Sequence, residues 1–411
     1  MMAYKECENF HFGIGVYYNN SLKSTSFYSF LSKYKEVVVN LEHESSLFSD
    51  IYHLILKIKN SKINQINIRI ALKNNNKKET YFTQGVSNFY ISSNLDRIQE
   101  KAFEKCHLIT QITIPNSVNI IEDCAFRDCP NLTRVAIPSS VHTIKCHVFA
   151  MSKKLSHVEF VYPSSVSSIG ELAFSCCESL KELTIPSSVT EIEYILFYKC
   201  TSLTQIIFQF SSTIKSMDSN YFTDFTSLKK VELPYSLKSI ENLFFYGCSS
   251  LESVLIYSNL KMIGYFAFFG CSSLKQISIP SSVKSIGDRA FSDCTSLLHL
   301  TIPDSVVVIG ESVFNGCAAL KKVKIPPSVT YIGDRTFEKC CSLTEIEIPS
   351  SIKMIANFLF SECESLIHVS IPSSVNAIGE FAFNECKSLK NLIIPSAIKY
   401  IDRCAFNGCS S

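Results

Sequence analysis

The chain has 411 residues, of which 46% are hydrophobic and 18% charged, with a formal net charge of +2. That composition supports a large buried core and excludes a disordered polymer. The first 88 residues carry 11 Lys/Arg against 7 Asp/Glu and the remainder 28 against 30, so neither part has the basic excess of a nucleic-acid binder, and no nucleic-acid partner is expected.

The chain opens MMAYKECENFHFGIG, with polar and acidic residues where a secretory signal has a basic start and an apolar run. No stretch reaches the 18 or so apolar residues of a membrane span. These features read as a soluble chain with no visible export route. Residues 1–88 do not repeat. Within them 37–41 (VVVNL) and 66–72 (INIRIAL) read as strands. Between the strands, Leu47, Ile51, Leu54, Ile55 and Ile58 form a helical apolar stripe, with Ser45 or Ser46 as its cap. The expected arrangement is a small α/β unit, strand–helix–strand, that caps the remainder of the chain; a separate recognition domain is the rival. Lys73–Lys78 reads as an exposed turn.

From residue 89 onward one unit recurs. A register set on the residue after each apolar run, usually Pro, places anchors from Ser92 and Pro115 to Pro372 and Pro395. Every spacing is 23 except two of 25, which end at Pro163 and Ser211. Eleven positions after the anchor stands Phe in all fourteen copies, from Phe103 to Phe406. In residues 294–303, Leu297, Leu300 and Ile302 can face inward while His299 and Thr301 face out, which is the alternation of a strand. Pro then ends the strand because it has no N–H for the ladder. Val283 and Ile286 mark a second short extended piece on the opposite wall. Phe291, Cys294 and Leu297 share a spacing of three, which predicts a tight 3₁₀-like corner.

A unit offers about six apolar side chains, worth roughly 1.5–3 kcal/mol each when buried, while ordering its backbone costs about 1–2 kcal/mol per residue. One unit cannot fold alone. Stacked units bury one another's faces, so the array is a repeat solenoid of about fourteen turns. The phrase IPSSVxxIGxxAFxxCxSLxxIxIP resembles the BspA-type leucine-rich repeat of oral-bacterial and protozoan surface proteins, over residues 90–411. The resemblance implies a right-handed β/α-type superhelix with short parallel strands. It also implies a non-catalytic surface antigen or adhesin-like protein, placed at the cell surface, whereas the missing signal leaves the cytoplasm as the alternative.

Cysteine stands three after Phe in twelve of the fourteen units, with Ser152 and Phe225 in the others. A position that accepts Phe is a packing site, and a reduced structural ladder is the expectation. None of the cysteines has the paired spacing of a zinc site. The repeated Pro-Ser-Ser-Val has no His and acid at a fixed offset, and no G-x-S-x-G, P-loop or H-E-x-x-H occurs. No enzymatic activity, cofactor or metal is expected. His157, His299 and His368 stand six and three units apart and cannot share a metal.

The outward strand residues are the surface such arrays most often use. They include Arg134, His157, Glu182, Lys230, His299, Lys322, Glu345 and His368, and Lys322 is expected beside Glu345. Between 194 and 269 aromatics replace polar residues, among them Tyr246, Tyr257, Tyr265, Phe266 and Phe269. Two readings stand: a contact site, or drifted repeats that repack their rings inside. The last unit stops at Ser411 before its own strand, so either the chain is truncated there or that open end pairs with another molecule. The expected partner is a protein or other macromolecule bound through an exposed face; a self-associating scaffold and an intracellular adaptor are the alternatives.

Overall fold

The computed structural model describes residues 95–409 except 107–108, 194, 210–212, 215, 258 and 391. It also describes the backbone of four earlier strands, Gly13–Ile14, Glu36–Leu41, Asn67–Leu72 and Asn88–Ile91. The chain divides into two units, Met1–Leu180 with Leu196–Cys200, and Lys181–Ile195 with Thr201–Ser411.

In the first unit the four early strands are followed in one parallel sheet by Gln111–Thr113, Arg134–Ile137 and His157–Phe160. Its register is strict: Gln111 lies opposite Arg134, and Arg134 opposite His157. The two strands expected near the N-terminus pair in parallel, Val37 with Ile68 and Leu41 with Leu72. The expected helix between them and the Lys73–Lys78 turn lie outside the described residues. A second wall stacks Arg97–Ile98, Ile120–Ile121, Thr143–Ile144 and Ser168–Ile169.

The second unit repeats the plan. Its first wall holds Glu182–Ile185, Gln205–Phe208, Lys230–Glu232 and Ser253–Leu255, then His299–Thr301, Lys322–Lys324, Glu345–Glu347 and His368–Ser370. Its second wall holds a five-stranded sheet from Ser239–Ile240 to Tyr331–Ile332 and a three-stranded sheet from Met354–Ile355 to Tyr400–Ile401. The period-two pattern has its expected effect: Leu300 and Ile302 are buried while His299 and Thr301 are exposed. The proline after each strand also opens a turn, because its carbonyl accepts the N–H three residues on (Val283 to Pro280, 3.1 Å).

The corner corrects two expectations. Among the described residues there is no α-helix, so each turn is built of β-strands and tight turns, without the helix that a β/α-type unit would carry. Nor is the corner 3₁₀. Its N–H groups alternate in direction: Arg289, Phe291 and Asp293 donate to carbonyls of the following turn, at Glu311, Val313 and Asn315, while Ala290, Ser292 and Cys294 donate three residues back. Such alternation needs left-handed residues, and nine and thirteen positions after the anchor φ is positive, as at Arg289 (54°) and Asp293 (59°). A side chain there costs of order 1–2 kcal/mol. The hydrogen bonds between turns offset that cost, so the fold places Lys, Asp and Glu there as readily as Gly.

The recurrent Phe forms a stack inside each unit. Ring centroids of Phe126 and Phe149 are 5.5 Å apart, and those of Phe245, Phe268 and Phe291 follow at 5.1 Å intervals, all with nearly parallel planes. These rings are fully buried. The spine is what makes neighbouring turns depend on one another.

Candidate interaction surface

Because each turn repeats the register of the last, outward side chains of the first wall fall into straight rows. In the first unit the row carries Gln111, Arg134 and His157, all exposed, and Arg134 Nη2 reaches Glu159 Oε2 of the next turn at 2.8 Å. In the second unit Glu182, Gln205, Lys230 and Ser253 share one register, and Lys230 Nζ lies 3.0 Å from Glu232. His299, Lys322, Glu345 and His368 share the next. Lys322 and Glu345 form an ion pair. The Lys322 ammonium holds the Glu345 carboxyl below its usual range, with a smaller push from His368. Signs alternate along the row, which gives no single-sign patch. The strands of Lys322 and Glu345 separate His299 from His368, and no group of three His, Cys, Asp or Glu among the described residues is placed to hold a metal.

The aromatic stretch divides between core and surface. Phe208 is buried in its strand, and Phe210 lies outside the described residues. Tyr246 and Phe269 stack at 5.0 Å on the corner, half-buried, with Phe266 5.5 Å from Phe269 and the Arg289 guanidinium 5.4 Å from the Phe266 ring centre. Tyr265, beside them in sequence, is exposed, and its N–H donates to Asn242 Oδ1. Tyr257 packs instead on Tyr235, rings 5.8 Å apart, where the chain leaves the first wall. Repacking and surface display therefore both occur, at different residues.

The thiols three after Phe turn inward. Cys177 Sγ donates to the carbonyl of Phe149 (3.3 Å) and Cys317 to that of Phe291 (3.2 Å). Ser152 makes the same bond to Phe126 through its hydroxyl, at 3.0 Å. Burial pushes these thiols up, Cys200 and Cys386 each to about 12, so they stay protonated and weakly nucleophilic. The second serine of Pro-Ser-Ser is occupied in several copies too: Ser140 and Ser374 donate to the carbonyls of Val118 and Ile352 one turn back, at 2.7 and 2.9 Å. Both repeated polar residues thus fasten one turn to the next.

Sequence reasoning missed two surface features. Tyr162, in the first two-residue insertion, is 87% exposed, and the break in period was its signal. On the second wall Met262, Val308, Tyr331, Met354 and Tyr400 are exposed apolar side chains. Their column varies in polarity from turn to turn, which was the signal available.

Comparison with known proteins agrees with this geometry. The family described as the BspA type leucine rich repeat region matches residues 75–204, 190–315 and 284–411 in six copies. A leucine-rich repeat protein from Bacteroides ovatus is similar, at 30% identity over 71% of this chain and 80% of that one, with a TM-score of 0.59. A leucine rich repeat protein of T. pallidum is 25% identical over 51% of this chain and 78% of its own (TM-score 0.35). The pneumococcal vaccine antigen PcpA is 23% identical over 80% and 82% (TM-score 0.41). No curated protein matched the chain. No helix among the described residues is long and apolar enough to cross a membrane. The chain belongs to the BspA-type leucine-rich repeat family.

Proposed function

We propose that this chain is a non-catalytic interaction scaffold that binds a protein or another macromolecule through the outward row of its first wall. One observation carries the reading. Side chains that build the turns recur from copy to copy and are spent on the interior, while His299, Lys322, Glu345 and His368 differ, stand exposed and share one straight register. A varied row on a uniform scaffold is how an extended surface acquires specificity. Photo-crosslinking side chains at His299, Lys322 and Glu345 test it. The same partner should be captured from all three positions and not from Asn315 on the corner; capture from none of the three, or equally from Asn315, removes the proposal.

Family membership supports a place at the cell surface in an antigen or adhesin-like role. A membrane-impermeant amine reagent applied to intact cells should then label the exposed lysines. Labelling only after lysis would instead support an intracellular adaptor.

A further inference from the structure

The second wall of the second unit carries three parallel rows. Four positions after the anchor stand Lys238, Lys261, Lys284, Lys353 and Lys399, all exposed, with Val307, Thr330 and Asn376 in the turns between. Backbone bonds fix this row, as from Lys261 N to Lys238 O (2.7 Å) and Lys284 N to Lys261 O (2.9 Å). Five positions after the anchor runs a mainly apolar row, Met262, Val308, Tyr331, Met354 and Tyr400, exposed from 38% at Met262 to 73% at Tyr400, with Ser285 and Ala377 at the two intervening turns. Across the buried Ile line, eight positions after the anchor, stand the carboxylates Asp288, Glu311 and Asp334. Asp288 Oδ1 accepts the N–H of Glu311 at 2.8 Å and Asp334 Oδ1 that of Asn357 at 3.0 Å, which fixes this column over three consecutive turns between Tyr265 and Asn357. The Tyr331 phenol is pushed up by partial burial and then by Glu311, Asp334 and Asp288, so the acidic row lies against the apolar one.

This face is not a requirement of the fold. In the first unit the matching strand residues are Arg97, Ile120, Thr143 and Ser168, and none of them is an exposed large apolar side chain. The apolar row of the second unit spans six strand spacings, about 29 Å. An exposed apolar stripe rimmed by charge, unbroken here from Val308 through Tyr331 to Met354, marks an association surface.

The order of the rows selects the occupant. We infer that this face pairs with the same face of a second copy of the chain, about a two-fold axis parallel to the rows. That operation lays apolar row on apolar row and, over the turns from Lys261 to Lys353, turns the lysines of each copy over onto the partner's carboxylates. Turn meets the same turn: Asp288 faces Lys284 of the other copy directly, Glu311 reaches Lys284 from the adjoining turn, and Asp334 reaches Lys353 likewise. A two-fold axis across the rows would set lysines against lysines, so the two arrays run in the same direction. The interface is isologous and self-complementary.

Sedimentation equilibrium on the full chain over a wide concentration range tests this. The chain should dimerise reversibly, more weakly at high salt. Two surface variants separate charge complementarity from general stickiness. Lys261→Glu with Lys284→Glu and Lys353→Glu makes the middle of both rims acidic; Asp288→Lys with Glu311→Lys and Asp334→Lys makes it basic on both sides, and Arg403 already occupies that column. Each variant alone should dimerise at least about tenfold more weakly, and an equimolar mixture should form the heterodimer. Unchanged melting of each variant keeps the comparison one of folded proteins. A wild type that stays monomeric at every concentration, variants that associate as the wild type does, or a mixture that fails to pair each overturn the inference. In the first case the stripe belongs to a different partner.

Discussion

The thiol of Cys294 donates to the carbonyl oxygen of Phe268, 3.2 Å away in the preceding turn. That carbonyl also accepts the N–H of Cys271, at 3.1 Å. The spine and the thiol column are therefore one device: each Phe stacks its ring on its neighbours while its carbonyl is held by the next turn. Cys294→Ala removes the sulfur from a closed site and leaves a small void, at a cost of about 1–2 kcal/mol. Cys294→Ser keeps the donor, as Ser152 does towards Phe126, and should cost less. Urea denaturation of the two variants checks the ranking. If serine proved the worse replacement, the column would be apolar packing and its hydrogen bonds incidental.

The same burial makes stability fall in alkali. Cys200 and Cys386 are each raised from 9 to about 12 by burial, and the fully buried Tyr221 phenol is raised as well. Above pH 9 the unfolded chain releases thiol protons that the folded chain retains. Stability linked to these groups is thus complete below about pH 9 and is lost as pH rises towards 12. The urea midpoint should decline across that window, and Cys200→Ser should flatten the decline. A midpoint indifferent to pH there would show that the thiols ionise without unfolding.

Much of this was legible in the sequence, and the reason is periodicity. The Phe column can be counted from the residues alone, and Leu300 and His299 declare their sides through alternation. The corner could not be read. Arg289 adopts left-handed backbone although its residue type does not announce it, because bonds from one turn to the next impose it; a spacing of three looked like 3₁₀. The second wall's exposed row escaped for a related reason. Val-x-x-Ile-Gly gives its inward residues clearly, but whether Tyr331 or Met354 reaches solvent depends on what the neighbouring turns place beside it. The aromatic stretch was ambiguous for the same cause, and Phe208 and Tyr265 went to opposite sides.

Two glycines separate conformation from close approach. Gly316 has φ of 74°, and a Cβ there would meet the Asp293 carboxylate first, which can move. Lys339, Glu362 and Glu385 occupy the same position of later turns with positive φ. Gly316→Ala should therefore cost about 1 kcal/mol, the left-handed penalty alone. At Gly333 a Cβ would come within 2.6 Å of Glu311 N and 2.7 Å of its Cα and of Gly310 C, all backbone. That backbone must shift to admit it, and Gly333→Ala should cost more, about 1–3 kcal/mol. Thermal melts of the two proteins give the order. Equal melting would mean that the stack yields freely between turns, against the strict register of its walls.

The corner cluster supplies the sharpest test of where a partner sits. Tyr246 and Phe269 stack at 5.0 Å with Phe266 beside them and Arg289 over its ring, and Tyr265 stands exposed nearby. Aromatic rings held rigidly at a surface, with a guanidinium at the edge, have the makeup of an interface anchor. Against this, the half-buried rings cover the corner beneath them, so their removal alone would cost some stability. Replacing Tyr246, Tyr265 and Phe269 together by Ser distinguishes the two roles. If the cluster is an anchor, partner capture through His299 or Glu345 should weaken at least about tenfold while the protein still melts cooperatively. If capture is unchanged in a folded variant, the rings are a covering for the corner, and specificity lies in the outward row alone.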